Sequence, residues 1–186
     1  MAAPTSSHRH PGCISMGPMS IPTASHAWRP LAASDLPALA EVAEKVHPGF
    51  PEDAAVFAER LALAPAWCFV LSDGKDLCGY MLSHPWHDGP PPKLNTLLGT
   101  LPAPATLAYI HDLALVPEAR RGGHGRTVLN TLISQAKSCG FGAMALVAVS
   151  GSAPFWERHG FRVAPAPSGL SSYGPDARFM RLPLGR

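Results

Sequence analysis

The sequence predicts an α+β fold in which strands and helices share one core. Three observations lead to this fold class. The chain has 186 residues, enough for one domain with a substantial core. Apolar residues make up 46% of it and charged residues 15%, which is typical of a globular protein and not of a disordered one. Hydrophobic patterns of strand and helix type follow each other in the order β, α, α, β, β, β, α, β, α, β, β, without internal repeats.

The first half of this order is read from hydrophobic spacing and from turn residues. It consists of a strand at 27–31, a helix capped by Ser34 or Asp35, a helix at 53–63, and strands at 67–71 and 77–82. The Asp73-Gly74 pair between the last two strands is a hairpin signal. Residues 84–105 are rich in proline and predict a long loop, which in a compact domain is usually functional or mobile.

The second half continues with buried strands and two helices. It consists of a strand at 107–116, a helix at 126–138, a strand at 143–149, a short helix that starts at Ser152, and strands at 161–163 and 177–182. Gly140 and Gly160 end the two helices.

Composition and charge exclude several classes of protein. A net charge of +2 gives no argument for nucleic-acid binding. The four cysteines are scattered and the histidines lack ligand spacing, so we expect reduced thiols and no metal. No apolar run is long enough to span a bilayer, and residues 1–25 make a poor signal peptide, so we expect a cytoplasmic protein. Those residues predict a flexible extension, or a start assigned before Met16 or Met19, ahead of a domain over 26–186.

A glycine-rich turn between a strand and a helix carries the chemistry. The segment Arg120-Arg121-Gly122-Gly123-His124-Gly125 is followed by Arg126. Glycines let backbone N–H groups approach a phosphate, and the helix N-terminus adds partial positive charge. The arginines add formal charge at the same place. A bound anion is therefore predicted, while an ordinary glycine-rich turn is the alternative.

Two familiar anion loops do not fit this segment. A nucleotide P-loop needs Gly-Lys-Ser/Thr, which is missing. A dinucleotide fingerprint needs a third glycine where Val128 stands. The pattern Gln/Arg-x-x-Gly-x-Gly/Ala of acetyl-CoA loops is satisfied by Arg120, Gly123 and Gly125.

Two further motifs accompany that loop, and with them the chain resembles the GNAT (general-control-related N-acetyltransferase) superfamily over residues 28–182. His111-Asp112-Leu113-Ala114-Leu115-Val116-Pro117-Glu118 is similar to its fourth strand. Phe155-Trp156-Glu157-Arg158-His159-Gly160-Phe161 is similar to its second signature, Phe/Leu-Tyr-Glu-Lys-x-Gly-Phe. The resemblance implies a mostly antiparallel sheet of six to seven strands, splayed between strands 4 and 5 and flanked by about four helices.

The resemblance also implies acetyl-CoA as acyl donor. The pantetheine arm would pair with the backbone of Leu113, Ala114 and Leu115, and the pyrophosphate would lie on the amides of the loop. Arg120 would order that loop more than touch the ligand. The implied donor site also includes Arg121, Gly122, Gly123, His124, Gly125, Arg126, Ser150, Ser152, Phe155 and Trp156.

The catalytic residues are less clearly indicated. Trp156 replaces the family tyrosine that protonates the leaving thiolate, and indole cannot supply a proton at neutral pH. Tyr173 is a possible substitute. His111 matches a catalytic histidine of the arylalkylamine acetyltransferases, and Tyr109 shares its face by the period of a strand. Asp112 is expected to point the other way.

The acceptor is predicted to be a primary amine of a small molecule or peptide, which attacks the thioester directly in a ternary complex. Phe50, Tyr80, His84 and Trp86 are candidates to surround it, together with His47 and the loop up to Pro104. The acid that holds the ammonium would be Glu41, Asp53 or Glu59. Two alternatives remain open: a coenzyme A-binding module with little catalysis, and a structural domain that binds an anion. A monomer or homodimer is expected.

Overall fold

The computed structural model describes residues 25–165 and 170–185. The strands are β1 (Ala27–Pro30), β2 (Cys68–Ser72), β3 (Leu77–Trp86), β4 (Leu107–Leu115), β5 (Ala143–Ala148), β6 (Arg162–Val163) and β7 (Arg178–Pro183). The helices are α1 (Leu36–Val46), α2 (Ala54–Leu63), α3 (His124–Ser138) and α4 (Ala153–Arg158). Their order is the predicted one. The prediction of a flexible extension and an early start falls on residues 1–24, which lie outside the described part.

One mixed sheet organises the chain. Its seven strands lie in the order β1-β2-β3-β4-β5-β7-β6. The β4–β5 pair is parallel, and the other neighbours are antiparallel. The parallel pair needs a crossover, which α3 provides. The predicted fold class is thereby confirmed.

Helices cover both faces of the sheet because successive residues of a strand point to opposite sides. Tyr80 of β3 packs with Leu39 of α1 and Phe57 of α2. Its neighbour Met81 packs on the other side with Leu129 of α3 and Trp156 of α4.

Two element boundaries differ from the prediction by more than one residue. β3 continues to Trp86, since it pairs with β4 as far as Trp86 opposite Leu107, so His84 lies in a strand and not in the loop. Helix α3 starts at His124, two residues before the predicted Arg126, because the left-handed Gly123 (φ +73°) turns the chain directly into it.

The predicted N-caps do not cap. The Asp35 carboxylate accepts the Ala32 N–H (2.9 Å) and pairs with Arg29 (2.6 Å), outside the first turn of α1. Ser152 precedes α4 without a side-chain hydrogen bond to it.

Cys68, Cys78 and Cys139 are free thiols. Among the described residues, no helix has the length and apolar character required to cross a membrane.

Candidate active site

The site lies where β4 and β5 separate. Their ladder joins Leu107–Ile110 to Ala143–Leu146, and β4 then continues to Leu115 without β5 beside it. A cavity of about 780 Å³ occupies this opening. Backbone N–H and C=O groups on this edge of β4 can therefore pair with an extended ligand.

One end of the cavity is suited to an anion. Gly123, Gly125, Arg120 and Arg126 line it. The first intrahelical bond in α3 runs from the Thr127 N–H to the Gly123 carbonyl (3.1 Å), so the preceding amides are free of helix partners. The loop and its arginines together offer N–H donors, the partial charge of the helix terminus and guanidinium charge to a phosphate or a pyrophosphate.

Interactions behind the loop hold its shape. Arg120 Nε donates to the Leu115 carbonyl (3.0 Å), which ties the loop to the end of β4. Trp28 Nε1 donates to the His124 carbonyl (2.9 Å). The His124 ring packs beside that of His26, and a Cβ at Gly122 would collide with it. That Arg120 orders the loop stays a prediction, which its bond to Leu115 supports.

The predicted donor-site residues divide into two groups. Those that line the cavity are Leu113, Leu115, Arg120, Gly123, Gly125, Arg126, Ser150, Ser152, Phe155 and Trp156. Those outside its lining are Ala114, Arg121, Gly122 and His124. Ala114 is fully buried toward the α1 face, which leaves its backbone as the part that could meet a ligand.

The turn after β5 forms the opposite wall. Ser150 (φ +51°) and Gly151 (φ +69°) both have left-handed backbone, and the Ser152 N–H closes the turn on the Val149 carbonyl (2.9 Å). Trp156 is 7% exposed and packs edge-on against Phe155 and Phe161. It is therefore mainly a core residue with one edge on the cavity.

A β-bulge brings two polar side chains of β4 to the other end. Leu82 lies opposite Asp112 and Ser83 opposite Ile110, so His111 has no partner in β3. A bulge interrupts the alternation of sides. His111 and Asp112 consequently both line the cavity, and the expectation that Asp112 points away was wrong.

The first carboxylate–histidine pair joins β4 to the segment before α2. His111 Nε2 lies 2.9 Å from Glu52 Oε2, with the two side chains 1% and 6% exposed. Burial by itself would raise the pKa of Glu52, but the His111 hydrogen bond and charge outweigh it, so the pKa is lowered. Glu52 is therefore ionised at neutral pH.

The second pair lies beside the first. Asp112 accepts the Tyr80 hydroxyl, and its other oxygen is 3.2 Å from His47 Nε2. Burial opposes the charge of Asp112, yet His47 and Tyr80 lower its pKa overall. Burial likewise opposes the charge of His47, whose pKa is nevertheless raised by Asp112. The cavity thus ends in two carboxylates, each beside an imidazole.

Neither predicted tyrosine stands free at this end. Tyr109 is 1% exposed and lies outside the cavity lining. Tyr173 lines the cavity, but its hydroxyl donates to the Pro92 carbonyl (2.7 Å). Burial raises the pKa of Tyr173 to about 12.

Of the four predicted acceptor residues, Phe50 lines the cavity and Tyr80, His84 and Trp86 do not. Tyr80 reaches it indirectly, as the hydroxyl that holds Asp112. His84 is fully buried and its ring stands edge-on to that of Trp86 (5.3 Å between centroids). Tyr80 lies beneath α1 and α2, whereas Trp86 packs beside Leu107 and Tyr109 of β4.

Sequence reasoning missed the acid that faces the cavity. Glu52 lines it, whereas Asp53 and Glu59 bond to the β3–β4 loop, and Glu41 is exposed. Glu52 follows Pro51 outside any helix, so no periodicity indicated its direction. His159, which also lines the cavity and whose Nδ1 donates to the Phe155 carbonyl (2.8 Å), was missed as well.

Comparison with known proteins assigns this arrangement to a family. The model of the acetyltransferase (GNAT) family matches residues 32–161. The chain belongs to the GNAT family. Membership implies acetyl transfer from an acyl-CoA. No curated protein matches the sequence.

Solved GNAT structures share this fold at low sequence identity. The ribosomal-protein-S18-alanine N-acetyltransferase from Escherichia coli is 21% identical, with a TM-score of 0.62 over 87% of this chain and 96% of its own. Naa20 from Chaetomium thermophilum, in complex with a bisubstrate analogue, is 19% identical, with a TM-score of 0.64 over 84% and 86%. The GphF GNAT-like decarboxylase, in complex with isobutyryl-CoA, is 17% identical, with a TM-score of 0.70 over 86% and 100%.

Within residues 25–165 and 170–185, no three His, Cys, Asp or Glu side chains are grouped so that they could hold a metal ion.

Proposed function

We propose that this protein is an acetyl-CoA-dependent N-acetyltransferase that acetylates a primary amine of a small molecule or peptide. The observation that carries the proposal is one continuous cavity. Arginines and helix amides lie at one end of it, and two carboxylate–histidine pairs lie at the other. An acyl donor with a phosphate-bearing handle and an amine acceptor would each find complementary chemistry there.

The donor half fits acetyl-CoA through backbone groups. The pyrophosphate would lie against the amides of Gly123 to Arg126, beside the Arg120 and Arg126 side chains. The pantetheine arm would lie along the free edge of β4 from Leu115 toward Leu113, as an added strand would. This path leads from the basic end of the cavity to His111.

The acceptor half fits an ammonium ion that must lose a proton. Glu52 and Asp112 supply negative charge, and His111 supplies an imidazole, the side chain that most often acts as a general base. With a proton on Nε2 donated to Glu52, the lone pair of His111 is on Nδ1. No residue in the described part of the chain bonds this buried nitrogen, so an amine could do so.

The reaction would then be a single displacement. The ammonium gives a proton to His111 Nδ1, and the amine lone pair attacks the acetyl carbonyl carbon. The new C–N bond replaces the C–S bond, and coenzyme A leaves as a thiolate, which takes up the second proton that the nitrogen must lose to become an amide. An ordinary thiol has a pKa of about 8.5, so the thiolate does not require a strong acid to leave.

Tyr173 is poorly suited to be such an acid. A phenol whose pKa is raised to about 12 donates its proton reluctantly to a thiolate. Tyr109 is buried away from the cavity. In this proposal, His111 as the base makes the main side-chain contribution to proton transfer.

The direct test is thiol release from acetyl-CoA with a panel of amines, alongside acetyl-CoA binding by calorimetry. We expect turnover above the rate with water alone. His111→Ala should lower turnover while the Kd for acetyl-CoA stays unchanged. Tight acetyl-CoA binding without turnover on any amine would contradict the proposal and favour a coenzyme A-binding module. A cytoplasmic location and a monomer or homodimer stay predictions from the sequence.

A further inference from the structure

A second chamber of about 470 Å³ adjoins the acceptor end of the cavity. The two spaces share Phe50, Leu94, Val149, Ser150 and Tyr173, which form a collar between them. Four of these five side chains present apolar or aromatic surface. If a ligand reaches Glu52 and Asp112 through this chamber, the rest of the molecule therefore lies within a mostly apolar collar.

The chamber is lined mainly by residues 171–177, and the β3–β4 loop, residues 87–106, adds Leu94 to the lining and is fastened to the start of α2. The Asn95 N–H donates to Glu52 Oε1 (2.9 Å), and the Asp53 N–H donates to Asn95 Oδ1 (2.8 Å). The N–H groups of Leu98 and Gly99 donate to the Glu59 carboxylate (2.7 and 2.8 Å). The loop is thus held against the same segment that carries Glu52.

The loop is also fastened to two residues of the chamber lining, Ser172 and Tyr173. The Tyr173 hydroxyl donates to the Pro92 carbonyl (2.7 Å), and the Leu94 N–H donates to Ser172 Oγ (3.2 Å). An extended peptide binds through free backbone groups of its host. At this rim the Pro92 carbonyl and the amides of Leu94 and Asn95 are already bonded within the chain.

We infer that the acceptor is a compact primary amine with an apolar body, and not the N-terminus of a protein. Its ammonium would lie against the two carboxylate–histidine pairs, and its body would fill the collar formed by Phe50, Leu94 and Tyr173. The inference rests on the proposed function and narrows it. It makes Leu94 a residue that determines specificity from a loop outside the motifs of the sequence.

The first experiment compares matched acceptors on the full-length protein. The compact amines are isoamylamine, benzylamine and phenethylamine. The peptides are tetrapeptide amides that begin with leucine or phenylalanine followed by three alanines. We expect kcat/KM for the best compact amine to exceed that for the best peptide at least about tenfold. Peptides used equally well or better would overturn the inference and leave the proposed function standing. Acetyl-CoA binding without turnover in either set would overturn both.

The second experiment tests the wall itself. Leu94→Ala should raise KM for the best compact amine about tenfold, because apolar contact is lost, with little change in the Kd for acetyl-CoA. The matched control is Leu97→Ala, in the same loop, where the side chain is 55% exposed and lines neither space. An unchanged KM in Leu94→Ala, or an equal change in both variants, would overturn the inference.

Discussion

The two ends of the cavity are built from different parts of the chain. The donor end comes mainly from one stretch, Leu113–Arg126, and offers backbone amides and exposed arginines. The acceptor end combines His47 and Glu52 from before α2 with His111 and Asp112 from β4. Its polar groups are largely buried and bonded to one another. Chemistry carried by a contiguous backbone turn leaves a motif, whereas chemistry assembled from separate side chains does not.

The two ends should also differ in the substitutions that they tolerate. A backbone turn depends on the conformation of a few residues, such as Gly123. A buried pair depends on both partners, because removing one leaves the other uncompensated. Substitutions at the two ends should therefore fail in different measurements: affinity for the donor at one end, and turnover or pH-dependent stability at the other.

The largest effect is expected at the acceptor end. Glu52→Gln keeps the shape of the side chain but removes the charge beside His111, and should lower kcat about 100-fold, within the usual range for acid–base groups. The Kd for acetyl-CoA should not change. Glu41→Gln is the matched control, since Glu41 is exposed on α1. Steady-state kinetics measures the effect. Equal losses of kcat in both variants would contradict a catalytic role for the Glu52–His111 pair.

A second substitution tests the backbone of the donor end. Gly123 has φ +73°, and an added Cβ would meet nothing within 4 Å, so the cost of a side chain lies in the backbone and not in crowding. Left-handed backbone costs an ordinary residue about 1–2 kcal/mol, equivalent to about tenfold in Kd. Gly123→Val should weaken acetyl-CoA binding by about this factor. Gly123→Asn should weaken it less, because Asn adopts this conformation more readily. Calorimetry measures both affinities. Equal losses of affinity for acetyl-CoA in the two variants would contradict an origin in the left-handed backbone.

Dependence of stability on pH should originate behind the acceptor end. Burial lowers the pKa of His84 to about 3. Between pH 6.5 and 3 the unfolded chain binds a proton there that the folded chain does not. Stability should therefore fall as the pH falls, by up to about 1.4 kcal/mol per pH unit. The lowered pKa values of Glu52 and Asp112 place their own loss of stability at more acidic pH.

Urea unfolding at pH 6 and pH 5 measures this slope. His84→Leu should flatten it, whereas His87→Leu, which lies on the partly exposed end beyond β3, should not. A slope that is unchanged in His84→Leu would assign the pH dependence to another group.

The smallest effect concerns the support behind the donor loop. Trp28→Phe removes the indole hydrogen bond to the His124 carbonyl, which is worth about 1 kcal/mol. Acetyl-CoA binding should weaken a few-fold, with kcat preserved. Trp86→Phe removes a comparable bond to the Pro90 carbonyl outside the cavity and serves as the control. A fall in kcat for Trp28→Phe would contradict the assignment of donor affinity and turnover to separate ends of the cavity.

Particular residues show how far prediction from sequence reached. The strand–turn–helix around Gly123 was predicted because local spacing and glycine content determine it. His84 was misplaced because the length of β3 depends on its pairing with β4, a contact between distant segments. Asp112 was assigned to the wrong side because the bulge at His111 is a property of two strands together.

The sequence by itself determined the family, the order of the elements and the place of the glycine-rich loop, since each depends on residues near one another in the chain. The tertiary structure alone decided that Glu52 faces His111, that Asp112 and His47 form a second pair beside them, and that Leu94 is the residue of the β3–β4 loop that lines the acceptor chamber. Glu52 and His111, for example, are 59 positions apart in the sequence. Local propensity carries no information on such pairs, because packing of the helices on the sheet brings them together.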